Sequence, residues 1–362
     1  MTNNPDNPAL AHLKALVGFD TQNPPRAISG DGLFAYLRDQ LDGFDCDLWE
    51  LGDGCVGLHA LRGEPDLLFN FHVDTVPASD DWSGDPFDLH VDDGRAVGLG
   101  ACDIKGASAC MLAALERLDE SADLALLFTS DEEAGSSRCV RHFLQKSHGY
   151  DGVVVAEPTG AKAVAEHRGI MTATGRFTGR AGHASDPRAL EDNALHQLTH
   201  WADAALAYAE DQEEEHFRNL NGIRFNIGRI EGGIKPNVIA PEATVRFGFR
   251  PRPDQHMEAI FDEICRLAHG ARTASPPETN RVDWEEGFVA PPLPADPDDR
   301  GAGRRLADNL GLPVAEPVDF WTEAALFSRA GYPTIVFGPG DIARAHTADE
   351  WVALDQLTAV TD

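Results

Sequence analysis

Residues 67–77, Leu-Leu-Phe-Asn-Phe-His-Val-Asp-Thr-Val-Pro, constrain the fold more than any other stretch. The run starts almost wholly apolar, as a strand buried on both faces of a parallel sheet does, and turns polar at its C-terminal end. The polar side chains there, His72 and Asp74, are two residues apart, so on extended backbone both point to one side. A carboxylate behind an imidazole orients a metal-binding histidine and fixes its tautomer, but it equally satisfies a histidine in a core.

Repetition decides between those alternatives. Leu124–Thr129 runs into Asp131, Glu132 and Glu133, Val153–Val155 into Glu157, and Thr334–Phe337 through Gly338-Pro-Gly to His346. Open α/β sheets bind ligands outside the carboxyl ends of their strands. Acids and imidazoles delivered to that edge form an uncompensated cluster unless a cation sits among them. Asp103, in Gly-Leu-Gly-Ala-Cys-Asp-Ile-Lys-Gly just before a helical pattern, is a further candidate. Three His or carboxylate ligands with an open position make a catalytic zinc site, and this larger set suggests two metals sharing a carboxylate. Asp103 is the natural bridge, because its loop lies between the other strand ends. Glu132 and Glu133 are adjacent on a loop and can diverge, one binding metal while the other takes a proton from water. The pattern leaves open which does which.

Other chemistries are poorly supported. Gly98 and Gly100 lack the third glycine of a dinucleotide loop, and neither a Gly-x-Ser-x-Gly elbow nor a His-Glu-x-x-His pair occurs. A net charge of −30 argues against binding nucleic acid or anionic membrane. That charge, with five lysines against 25 arginines, fits either a solvated acidic surface in an Arg-rich composition or adaptation to high salt. The six cysteines form no Cys-x-x-Cys pair, and no signal peptide is visible in Met-Thr-Asn-Asn-Pro-Asp-Asn-Pro, so a cytoplasmic location with reduced thiols is expected.

The expected fold is an α/β domain with an inserted unit. Helical periodicity marks 9–19, 32–41, 105–118 and 138–145. From His167 the pattern becomes strand (171–178), helix (190–209), two strands (223–230 and 243–249) and helix (257–268), an order resembling a split βαβ sandwich. The boundaries expected are 1–166, 167–275 and 276–362, with the Pro-rich segment 276–300 carrying the chain back.

The motifs His72-Val-Asp-Thr-Val-Pro, Gly-Leu-Gly-Ala-Cys-Asp-Ile-Lys-Gly, Ser-Asp-Glu-Glu-Ala-Gly, Ala-Glu-Pro-Thr, Gly-Arg-Ala-Gly-His-Ala-Ser and Gly-Pro-Gly-Asp-Ile-Ala-Arg-Ala-His-Thr occur in this order. Together they resemble the acetylornithine deacetylase/succinyl-diaminopimelate desuccinylase family of di-zinc hydrolases, over essentially the whole chain. Phe320-Trp-Thr-Glu-Ala-Ala-Leu-Phe looks like the acetylornithine deacetylase side, and the chain as a whole is most similar to the N-acetylcitrulline deacetylase branch.

The resemblance implies a zinc-exopeptidase-like catalytic domain with a mixed, mainly parallel sheet and an inserted α+β ferredoxin-like dimerisation or lid domain. It implies two Zn2+, for which Co2+ can substitute: His72, Asp103 and Glu157 on one, Asp103, Glu133 and His346 on the other. Asp74 would orient His72 and Glu132 would be the general base. His183 would reach the partner subunit's site and help bind the oxyanion. Asn237 and Arg250 match substrate-contacting positions, and a planar guanidinium suits an α-carboxylate. Glu323 could pair with ornithine's cation or accept hydrogen bonds from citrulline's ureido group. The implied reaction removes acetate from N-acetyl-L-citrulline or N2-acetyl-L-ornithine in arginine biosynthesis. An exopeptidase, dipeptidase or desuccinylase on the same scaffold is the alternative. The expected partners are a small N-acyl amino acid and a second copy of the chain, with no nucleic acid and no membrane. A cis peptide at Asp103–Ile104 is implied as well.

Overall fold

The computed structural model describes residues 7–270, 281–299 and 301–362; most of the amino-terminal stretch inspected for a signal, and residues 276–280 and 300 of the Pro-rich segment, lie outside them. The chain folds as two compact units. The first comprises Met1–Ala165, Arg300–Ala315 and Thr322–Asp362, and the second Glu166–Asp299 and Glu316–Trp321. Among the described residues no helix is long and apolar enough to cross a membrane.

The first unit is built on a mixed, mainly parallel sheet of six strands. Their order is Asp45–Glu50, Val56–Arg62, Leu124–Thr129, Leu67–His72, Gly152–Val155 and Thr334–Val336. The last four run parallel to one another, and the first two are antiparallel additions. The central strands are buried without alternation because both faces are covered. One face packs Phe71, Leu126 and Phe128 against the helix Lys105–Leu115 and its neighbours Pro8–Val17 and Leu354–Thr361. The other packs Val154 and Ile335 against Leu306 and Ala307. The helix expected to reach Leu118 stops at Leu115, and Leu118 is exposed beyond it. A small antiparallel sheet of His90–Asp92, Arg95–Val97 and Trp351–Ala353 ties the carboxyl-terminal segment to the approach of the Asp103 loop.

In the second unit a four-stranded antiparallel sheet, ordered Arg224–Gly232, Glu242–Arg250, Ile170–Thr178 and Val282–Ala290, carries two helices, Ala194–Asp211 and Met257–Gly270. The element order is ferredoxin-like. The expected return of the chain from residue 276 is corrected here: Val282–Ala290 pairs with Ile170–Thr178, so the second unit continues to Asp299. That strand is hard to read because acids interleave with Val282 and Trp284, and Gly287 falls where the register shifts. Trp284 packs edge-on to Phe177 and Phe247 in a cluster with Trp201. Gly175 makes room for it, since a Cβ there would lie 2.3 Å from the indole. The long helix starts at Ala194 rather than Leu190, because Asn193 caps it by accepting from Leu195 N–H.

Candidate metal centre

Four strand ends and one loop deliver the predicted ligands to a single edge of the first unit. His72 ends its strand, Glu133 follows Leu124–Thr129, and Glu157 follows Gly152–Val155. His346 sits at φ +59 after the turn through Gly340, where a Cβ would come within 2.5 Å of Cys102 Sγ. Asp103 precedes the helix Lys105–Leu115 and is joined to Ile104 by a cis peptide, as expected.

Asp103 stands between the two histidines. Its Oδ1 is 3.1 Å from His72 Nε2, and its Oδ2 is 3.3 Å from His346 Nε2. Glu157 Oε1 is 3.8 Å from His72 Nε2, and Glu133 Oε1 is 2.9 Å from His346 Nε2. The donor atoms thus fall into two groups, His72–Asp103–Glu157 and Asp103–Glu133–His346, each with its atoms within 4.8 Å of one another. Asp103 belongs to both.

The electrostatics of the cluster are those of a cation site. Burial pushes the Glu157 and Glu132 carboxyls well above the usual range, and neighbouring carboxylates add to the push. Burial also opposes ionisation of Asp103, but hydrogen bonds with His346 and His72 outweigh it and hold that carboxyl low. The same contacts, with Asp103 first and Glu133 next, push His346 up to about 11. Protonated imidazoles here offset the carboxylates. Divalent cations among the same atoms would do so with both rings neutral and their Nε2 lone pairs free to coordinate. Imidazole nitrogens with carboxylate oxygens suit zinc and similar ions. The residues fit such metals.

Of the three acids after Leu124–Thr129, each has a different place. Asp131 is buried and accepts from Arg138 and Cys139 N–H at the start of the helix Arg138–Phe143, so it anchors the loop. Glu133 joins a donor group, and Glu132 lies beside the cluster but in neither group. The sequence pattern could not separate those two.

Asp74 sits behind His72, though less directly than the spacing suggests. His72 Nδ1 is 3.1 Å from the main-chain carbonyl of Asp74 and 3.5 Å from its Oδ1. The other oxygen, Oδ2, accepts from Glu133 N–H at 3.1 Å and from Asn23 Nδ2 at 3.0 Å. Asp74 therefore holds the Glu132–Glu133 loop as well as the His72 ring. Asn23, which also donates to Ser130 O, was missed. Its one signal is a polar residue before Pro24-Pro25 in a loop with few apolar side chains.

The remaining candidates lie outside the two donor groups. Glu323 is 1 % exposed, with Asn70 and Thr129 directed at its Oε2 and, among the described residues, no hydrogen-bond partner at its Oε1. Burial pushes it up to about 8, with Asp131 adding to the effect. In the second unit His183 is exposed, with Nδ1 2.8 Å from Ser185 Oγ. Its loop bridges to the Asn237 segment through His183↔Val238 and Ala184 N–H to Asn237 O, so His183 and Asn237 share one end of the sheet. Arg250 lies at the far end of the nine-residue strand Glu242–Arg250, roughly 25 Å along at ~3.3 Å per residue. There it lines a cleft of about 430 Å³ with Arg224, Arg246 and Asn226.

Comparison with known proteins agrees with this geometry. Residues 68–362 match peptidase family M20/M25/M40. The chain is 50% identical over 354 residues to an N-acetyl-L-citrulline deacetylase of Xanthomonas campestris pv. campestris, covering 96% of this chain and 94% of that one. It is 30% identical to an acetylornithine deacetylase of Vibrio vulnificus, over 88% of this chain and 85% of the other. Among solved structures, aminopeptidase PepT from Bacillus cereus superposes with a TM-score of 0.72 at 18% identity, covering 98% of this chain and 95% of that one. That similarity concerns the fold.

Proposed function

The chain belongs to peptidase family M20/M25/M40, and from that premise we propose that it hydrolyses the acetyl amide of N-acetyl-L-citrulline, giving acetate and citrulline. The observation that carries this reading is the shared position of Asp103 between two imidazole–carboxylate groups, together with 50% identity to a citrulline-type deacetylase across nearly the whole chain.

Two zinc ions are the cofactor we assign, held by His72, Asp103 and Glu157 and by Asp103, Glu133 and His346. Bound there, they would polarise the acyl carbonyl and acidify a water molecule. Glu132, buried beside the cluster and outside both donor groups, takes the proton of that water as its oxygen adds to the acyl carbon. As the C–N bond breaks, Glu132 passes the proton to the departing amine nitrogen. Asp74 keeps both sides of this exchange in register, since one carboxylate reaches the His72 ring and the Glu133 amide.

The inserted unit supplies the remaining contacts in a homodimer. His183 and Asn237 lie on one loop pair, and Arg250 at the other end of its strand. One copy of the unit therefore presents them to different places, which is what a site shared between two copies requires. The edge strand Arg224–Gly232 leaves Ile230 exposed, and Ile234 beyond it is 69% exposed. The open edge of that strand, where Ile230 stands between the paired Arg229 and Glu231, is the place for strand addition by a second copy. Arg250 then meets the substrate α-carboxylate as a fork.

The test is an assay of the zinc-loaded protein on N-acetyl-L-citrulline, N2-acetyl-L-ornithine, N-succinyl-diaminopimelate and simple dipeptides. The highest kcat/KM on acetylcitrulline is the expected result. Preference for dipeptides or the succinyl amide would assign the chain to another activity of the same scaffold.

A further inference from the structure

We propose that Glu350 is a positioning residue that aims the Asp103 carboxylate between the two donor groups. Glu350 is 1 % exposed, and its carboxylate is wrapped by the Asp103 loop. Oε1 accepts from the N–H groups of Cys102 and Asp103, both at 2.8 Å, and Oε2 accepts from Gly100 N–H at 3.1 Å. Its main-chain carbonyl accepts from Gly98 N–H at 3.0 Å, extending the pairing of Val97 with Trp351. Four amides of one loop therefore end on one residue. The loop curls tightly enough to need φ +76 at Gly100, whose carbonyl accepts from Lys105 N–H at the helix start.

Asp103 is a ligand whose aim matters twice, because its two oxygens face different histidines. Its own amide is among those held, so the peptide plane entering its Cα is fixed, and with it the direction of the side chain. Three main-chain N–H groups converge on the two oxygens of one enclosed carboxyl, which makes it a stiff anchor. Glu350 also lies four residues after His346, on the segment that closes the second donor group. Cys102 Sγ donates to Asp341 O at 3.4 Å, a second tie between the same two segments. Glu350 thus locks the shared ligand to the backbone that carries His346. It acts through those ligands and touches no reacting atom.

This inference rests on the assignment of Asp103 as the shared metal ligand, so the experiment separates the two. Glu350→Gln keeps the size but removes the charge and turns an amino group towards N–H donors; Glu350→Ala removes every side-chain contact. Zinc affinity is measured by competition with a chromophoric chelator, alongside the thermal midpoint of the metal-free protein and near-UV circular dichroism. Both variants are expected to fold, to bind zinc about 10–100-fold more weakly, as loss of a partner behind a ligand does, and to regain turnover with excess zinc, Gln more than Ala. Wild-type affinity in folded variants overturns the proposal, as does failure of both to fold, which assigns Glu350 to the fold alone. A wild-type protein that takes up fewer than two zinc ions removes the metal assignment, and this inference with it.

Discussion

Glu132 and Glu133 are neighbours of the same chemistry, and their substitutions to glutamine should fail in different ways. Glu133 Oε1 is 2.9 Å from His346 Nε2 and belongs to a donor group with Asp103, whereas Glu132 belongs to neither group. The main chain between them is anchored independently of either side chain, because Glu133 N–H donates to Asp74 and Arg138 N–H to Asp131. Replacing one side chain therefore tests its role with little shift of the other. Glu132→Gln keeps both metals but loses the proton acceptor, so kcat should fall by at least about 10²-fold, the low end for a general base, or about 2.7 kcal/mol in the barrier. Glu133→Gln exchanges a charged ligand for a neutral amide. The loss in affinity for one metal should be at least the ~10–100-fold that accompanies removal of a mere outer partner.

The assay pairs kcat at saturating substrate with metal content after gel filtration, with and without excess zinc. Turnover should return with added zinc in Glu133→Gln and stay low in Glu132→Gln. The reverse pattern would exchange their roles. Near-normal rates in both would refute the two-metal mechanism.

Two further outcomes follow from the same geometry. His183→Ala should lower kcat by roughly 10²–10³-fold, as loss of an oxyanion donor does, with zinc content unchanged; full turnover by a strictly monomeric protein, checked by light scattering, would end the shared-site proposal. His59, ringed by Phe143, His148 and Tyr150, is held below the ordinary value of 6.5 by burial first and His148 next. The unfolded chain then binds more protons below that pH, so the contribution of His59 to stability is complete above about 6.5 and lost as pH falls through its lowered value. Thermal melts of His59→Phe should show a shallower loss of stability on acidification, and an unchanged slope would contradict the assignment.

What the sequence made legible was what repeats. Apolar runs ending in an acid or a histidine recur along the chain, and parallel pairing brings those ends to one edge, so the candidate ligands were legible without coordinates, except for the choice between Glu132 and Glu133. The inserted unit was legible as far as Met257–Gly270 for the same reason, because its strands alternate and its helices are periodic. Val282–Ala290 was hidden by interleaved acids and by the prolines ahead of it. The burial of Glu323 against Asn70 and Thr129 was equally hidden, since its partners lie far along the chain.

The harder distinction is among the acids that do lie at the centre. In a chain with 60 acidic residues, composition says nothing about which carboxylates meet metal and which meet backbone. Asp103, Glu133 and Glu157 face imidazole nitrogens. Asp74, Asp131 and Glu350 instead accept main-chain N–H groups from the loops that carry those ligands. One set faces imidazoles across a candidate metal site, and the other is enclosed by main-chain N–H donors. They leave the same mark in sequence, an acid near a turn, and differ only in partners brought from far along the chain. The amide of Asp103 and the carboxylate of Glu350 are 247 residues apart. Spacing can therefore point to ligands delivered by neighbouring strands, while the acids that aim those ligands emerge only when the loops have closed around them.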